Sequence, residues 1–213
     1  MNEIGKNVYE GFVPTHPLDL QGWTINADIF ERLIVQQRPN IILEVGTWKG
    51  KSAMMMADIV KALNLDCKIY CIDTWLGSLE FWEWLSSVKE TDLNLTYGYP
   101  QIYYQFLSNV VHTNNQDIII PVPLTSNIAA KLLTNKGITS QLIYVDGSHE
   151  EDDVYNDIKN YYKLLKPGGI IFGDDYWWDS VKNAVHKFVD EIEGHNNFSS
   201  EPANWILKKP EQP

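Results

Sequence analysis

Two hundred and thirteen residues suffice for one domain around a single core. A chain with 44% apolar and 21% charged residues is neither disordered, collagen-like nor coiled-coil. The net charge of −11, from 28 acids against 17 bases, repels phosphate backbones and anionic lipid, so neither nucleic acid nor membrane is expected as a partner.

In chain order, residues 1–38 read as an extended arm followed by a helix over roughly 24–37, stopping before Pro39. Asn40 to Val45 is an apolar run closing on Gly46, and Ser52 to Leu65 carries Ala53, Met56, Ile59, Val60 and Leu63 at helical spacing. These are the first strand and helix. Lys68–Asp73 reads as the second strand, Ile118–Pro123 as the third and Gln141–Asp146 as the fourth. A helix over 151–165 ends at the stop Lys166-Pro-Gly-Gly169, and Ile170–Asp175 is the fifth strand. A helix near 179–193 and a terminal strand at Trp205–Lys208 follow. Such alternation builds parallel β-α-β units within one domain, 1–213. The start Met1-Asn2-Glu3 lacks a signal peptide's order, and no apolar run reaches the roughly 20 residues of a membrane span, so a cytoplasmic location is expected. Cys67 and Cys71, about 13 Å apart along one strand, are too distant for a disulfide and read as reduced core thiols.

The stretch 74–117 is longer than a crossover needs. It concentrates Trp75, Phe81, Trp82, Trp84, Tyr97, Tyr99, Tyr103, Tyr104 and Phe106. It reads either as a lid that encloses a ligand, with Trp82 and Trp84 the better candidates to touch it, or as a satellite core or subunit interface of a homo-oligomer.

The loop after the first strand, Glu44-Val-Gly-Thr-Trp-Lys-Gly50, sets an acid at the strand end and glycines at 46 and 50. In open parallel sheets ligands bind beyond the carboxyl ends of the strands. Trp48 stands where a dinucleotide fingerprint needs its second glycine, and Gly46 lies one residue too close to Gly50 for a P-loop. Asp73, ending the neighbouring strand, is placed to accept both hydroxyls of a ribose, although an acid there also caps turns.

Here the chain resembles the class I methyltransferases that use S-adenosylmethionine, through the glycine turn, the acid after the second strand and the Leu164-Leu-Lys-Pro-Gly-Gly169 stop. The resemblance covers about 39–209 and implies a Rossmann-like, doubly wound, mostly parallel seven-stranded α/β sheet with an aromatic-rich insertion after the second strand. It also implies that Glu44, Gly46, Thr47 and Gly50 belong to the turn holding the methionine part, that Asp73 holds the ribose, and that Ser126 lies near adenine. Ser52 would bind the cofactor's carboxylate, or else only its own backbone.

Asp146 ends the fourth strand and Asp174-Asp175 the fifth, so three carboxylates meet at one sheet edge, Asp146 also bordering the cofactor crevice. They require protonation or a hard divalent cation such as Mg²⁺, with Mn²⁺ or Ca²⁺ as alternatives. The spacing resembles metal-dependent O-methyltransferases of the catechol type, and more so those acting on antibiotic sugars, which share the Asp-Gly-x-His pattern seen at Asp146-Gly-Ser-His149. The resemblance implies O-methyl transfer to a small polyhydroxylated molecule, with His149 and Asp146 as catalytic residues. Ser148-x-x-Glu151 reads as a capping box. His149 reads as a mostly neutral general base or as a surface residue. The competing functions are a metal-dependent hydroxylase and a silent cofactor-binding scaffold.

Overall fold

A strand covered by helices on both faces must be apolar on both sides. β1 (Ile41–Val45) has this property: Ile42 to Val45 are all buried. The computed structural model describes residues 7–23, 26–83 and 93–211; Met1-Asn2-Glu3 and Trp84 lie outside them. β1 pairs in parallel with β2 (Lys68–Asp73) and β4 (Ser140–Val145). β3 (Ile119–Pro123) and β5 (Leu165–Gly173) extend the sheet on either side, also in parallel. β6 (Phe198–Ser200) and β7 (Trp205–Lys208) join antiparallel, giving the order β3-β2-β1-β4-β5-β7-β6. The sheet is therefore the Rossmann-like, seven-stranded one expected. Its chain order reverses between β1 and β4, which opens a crevice at their carboxyl ends.

Period-two alternation divides the core between the two faces. Ile42, Ile69, Cys71, Tyr144 and Phe172 pack with α1 (Ala27–Gln37), α2 (Lys51–Ala62) and, beyond the short α3 (Leu79–Glu83), α4 (Ile102–His112). Leu43, Ile72, Ile143 and Ile171 pack with α5 (Ser126–Asn135), α6 (Glu151–Tyr162) and α7 (Asp179–Glu191). Cys67 and Cys71 are free and buried, as expected.

Three boundaries differ from expectation. α6 stops at Tyr162, and Lys166-Pro-Gly-Gly169 lies inside β5, where the pairing with β4 shifts register between Ser140 and Leu142. The segment stays in the sheet because Gly168 and Lys209, then Lys209 and Gly169, exchange N–H···O bonds of 3.0 and 2.8 Å. Second, the short β6 carries no apolar run to announce it. Third, α4 is the ordinary crossover into β3, with Ile102, Phe106, Leu107 and Val110 buried, so the added segment is 74–101. Trp75 is 2% exposed and packs on Tyr103 and Phe106, so it belongs to the core. Trp82, Tyr97, Tyr99 and Tyr104 are exposed.

The arm before α1 lies across α4. Backbone N–H groups of Thr15 and His16 bond the Ser108 hydroxyl, and that of Asp19 bonds Asn109 Oδ1 at 3.0 Å. Asn109 returns two bonds, to the carbonyls of Asp19 and Lys49 at 2.6 and 2.8 Å. The arm is thereby tied to both α4 and the glycine turn.

Candidate active site

The turn between β1 and α2 is fixed from below and from the side. Below it, Glu44 is wholly buried and accepts bonds from the Ser52 hydroxyl, from Thr47 Oγ1 at 3.2 Å and from Cys71 Sγ at 3.3 Å. Burial pushes the Glu44 carboxyl up to about 7, against the pull of those three donors. A side chain so enclosed has no path to a ligand. Glu44 thus supports the turn rather than lining the crevice, and the Ser52 hydroxyl is turned to Glu44 rather than to its own backbone.

From the side, Asp73 Oδ2 accepts the N–H groups of Thr47 and Trp48, both at 2.9 Å, and Oδ1 accepts that of Trp75 at 2.7 Å. A carboxylate offers about four acceptor positions. Three are taken within the chain, so the expected grip on both ribose hydroxyls is reduced to one further bond. Gly46 has φ +84°, and a Cβ there would lie 2.0 Å from the Asp146 carbonyl oxygen. Its glycine is thus required by the approach of the β4 tip, a reason independent of any ligand. Gly50 packs against Met54 and Phe106.

Trp48 roofs this turn. Its indole N–H bonds Gln21 Oε1 of the arm at 3.1 Å, and its ring sits 4.6 Å from Phe81 of α3, which stacks on Trp23 at 5.6 Å. Lys49, 8% exposed, pairs with Asp19 at 2.8 Å. Ser126 opens α5 near the buried Asp157, whose carboxyl burial raises to about 6.

At the tips of β4 and β5, Asp146, Ser148, Asp174 and Asp175 border one recess of about 10 Å³, floored by Val154, Val181 and Trp205. This is room for about one water. Asp146 Oδ2 accepts the buried Tyr144 hydroxyl at 2.9 Å. The Asp146 carboxyl is crowded by protein although solvent still reaches the residue; that crowding, then the charges of Asp175 and Asp174, push it well above the ordinary range. Asp174 Oδ1 accepts the Asp175 N–H at 2.9 Å and Asn204 Nδ2 at 3.2 Å; burial, and to a lesser degree Asp175, raise it to about 6.

His149 is held between two acids, Nε2 at 2.9 Å from Asp175 Oδ2 and Nδ1 at 3.3 Å from Glu80 Oε1 of α3, and its ring stacks on Trp178 at 4.9 Å. The bond to Asp175 is the largest cause raising His149 to about 9, which favours imidazolium. The expected mostly neutral ring supposed a dication beside it; facing the two acids alone, the charged form is favoured. The predicted capping box does not form: Ser148 Oγ takes the Glu150 N–H and donates to Asp153, both at 3.2 Å. Glu80, Trp178, Gln21 and Tyr144 were missed by the sequence reading. Only Tyr144 had a signal, standing two residues before Asp146 on the same strand face.

The carboxylates fit a cation only in part. One oxygen of each is engaged by Tyr144, by Asn204 and the Asp175 N–H, or by His149, and among the described residues no three ligating side chains gather to hold a metal ion. Asp146, Asp174 and Asp175 share the recess, but Asp175 is turned to His149.

A family model described as a methyltransferase domain matches residues 43–176. Uncharacterized protein R132 of Acanthamoeba polyphaga mimivirus is 39% identical over 56 residues, 24% of this chain and 25% of that protein. The chain spans a quarter or less of the length of the curated relatives it matches. The fold is similar to that of an O-methyltransferase from Bacillus cereus solved in complex with SAH, at a TM-score of 0.60 and 17% identity over 95% of this chain and 87% of that one. It is also similar to CalS11, a calicheamicin methyltransferase, at a TM-score of 0.60 and 18% identity over 85% of this chain and 76% of that one.

Proposed function

We propose, for a chain that belongs to the methyltransferase-domain family, that it transfers a methyl group from S-adenosylmethionine to a hydroxyl of a small polyhydroxylated acceptor. The observation that carries this reading is the rigid turn at Gly46–Gly50, held by Asp73 beside the Asp146 tip at the switch point of the sheet. The bound donor supplies an electrophilic methyl on sulfur. The acceptor oxygen forms the new C–O bond as the C–S bond breaks, and the hydroxyl proton passes to a base. The chain's residues contribute alignment and proton acceptance. Asp73 and the turn fix the donor's ribose and methionine ends. Asp146 is the better placed proton acceptor, because both ring nitrogens of His149 are engaged by Asp175 and Glu80.

Divalent-cation assistance, with Mg²⁺, Mn²⁺ or Ca²⁺ taken by Asp146, Asp174 and Asp175, is the finer part of the proposal. It is supported by their shared recess and requires Asp175 to leave His149. A sugar as the acceptor rests on the resemblance at Asp146-Gly-Ser-His149.

Calorimetry with S-adenosylhomocysteine tests the core of the reading. Micromolar binding that weakens at least tenfold in Asp73→Ala is expected, whereas preferential binding of a nicotinamide dinucleotide overturns it. Titration with Mn²⁺ tests the finer part: one site in the wild type, absent in Asp174→Ala, is expected, and no site in the wild type removes metal assistance.

A further inference from the structure

We propose that Tyr144 is a positioning residue that sets the orientation of the Asp146 carboxylate; the inference rests on the methyl-transfer reading above. The strand registers align Cys71, Glu44, Tyr144 and Phe172 in one row across β2, β1, β4 and β5. Side chains return to the same sheet face every second residue. The next row on that face is therefore Asp73, Gly46, Asp146 and Asp174, the row that borders the crevice. Each residue of the buried row stands under one of the site, and three of the four have polar groups that reach upward or sideways: Cys71 toward Glu44, Glu44 toward the turn, Tyr144 toward Asp146.

Tyr144 is the fixed member of its pair. Its ring is wholly buried between Phe30, 4.8 Å away, and Phe172, 4.9 Å away. In a close-packed interior such a ring has no room to swing. Its hydroxyl reaches Asp146 Oδ2 at 2.9 Å, and no other hydrogen bond to that carboxylate occurs among the described residues. Asp146 follows the last residue of β4 and is exposed to solvent, so its side chain is not enclosed as the Tyr144 ring is. The phenol therefore fixes one oxygen of the carboxylate, and Oδ1, without a hydrogen bond among the described residues, is left for the reacting group.

Phenylalanine fills the same space and removes only the hydroxyl. In Tyr144→Phe we expect kcat to fall tenfold or more, with KM for the methyl donor and S-adenosylhomocysteine affinity unchanged within twofold. In the Asp146→Asn background the same substitution should have no further effect, as for two residues acting through one interaction. A crystal structure of Tyr144→Phe should show the Asp146 carboxylate rotated. An unrotated Asp146, or equal losses in both backgrounds, overturns the proposal, as does a joint fall of kcat, donor affinity and melting temperature. Failure of the wild type to bind S-adenosylhomocysteine refutes the methyl-transfer reading instead, and the carboxylate's orientation in the variant still decides the role of the phenol.

Discussion

Replacing Gly46 by Ala isolates the contact between the β1 turn and the β4 tip. The new methyl would sit 2.0 Å from the Asp146 carbonyl oxygen and 2.4 Å from its carbon, where Cβ contacts essentially never fall below 3.0 Å. The tips must separate by about 1 Å, yet they are joined by the Asp146 N–H to Val45 carbonyl bond of 2.7 Å. Holding a non-glycine residue at φ +84° costs about 1–2 kcal/mol, and overpacking about 1–3 more. Gly98 provides the comparison, with φ +80° and nothing within 4 Å of its Cβ position, so only the backbone term applies. Chemical unfolding should give losses of roughly 2–5 kcal/mol for Gly46→Ala and 1–2 for Gly98→Ala. At about 2–4 °C per kcal/mol for a chain of this size, the former lowers Tm by roughly 4–20 °C. Donor affinity should fall only in Gly46→Ala. Equal losses in the two variants would refute the claim that the β4 backbone requires the glycine.

Asp157 and Glu44 bind protons more tightly in the fold, at about 6 against 3.8 and about 7 against 4.5, so their contribution to stability is full below the lower values and is lost as pH rises through the higher ones. Asp157→Asn should flatten the unfolding free energy between about pH 4 and 6 by roughly 2–3 kcal/mol, as followed by urea titration. Trp75→Ala should cost about 3–5 kcal/mol in the same assay, while Trp82→Ala, at an exposed site, should cost under about 1 and raise only the acceptor's KM. Lys49→Met should leave Asp19 unpaired and speed proteolytic cleavage of the arm, read by gel after limited digestion; an unchanged cleavage rate would show that the pair does not hold it.

The strands were legible because parallel sheet interiors need continuous apolar runs, which Ile41–Val45 and Leu142–Val145 largely supply. That placed Asp73, Asp146, Asp174 and Asp175 at one edge before any coordinates. What each acid meets there was not legible. Asp73 binds the turn's amides and His149 lies between Asp175 and Glu80, because residues 25 to 69 positions away in sequence supply the partners. Trp75 read as part of a lid because composition cannot distinguish a ring above the crevice from one beneath it. Lys166-Pro-Gly-Gly169 read as a helix stop because its pairing partner, Lys209, lies at the far end of the chain.

The arm's attachment also governs when the turn is completed. Asn109 bonds the carbonyl of Asp19, 90 residues earlier, and that of Lys49, 60 residues earlier. At synthesis rates of about 5–20 residues per second, Asn109 is made roughly 5–18 s after Asp19. Over the last 60 residues of that interval, roughly 3–12 s, the arm and the glycine turn have both been translated but lack the helix that joins them. A nascent chain halted before α4 leaves the ribosome should therefore carry an unlatched turn, and the latch to the arm should form only once α4 has emerged.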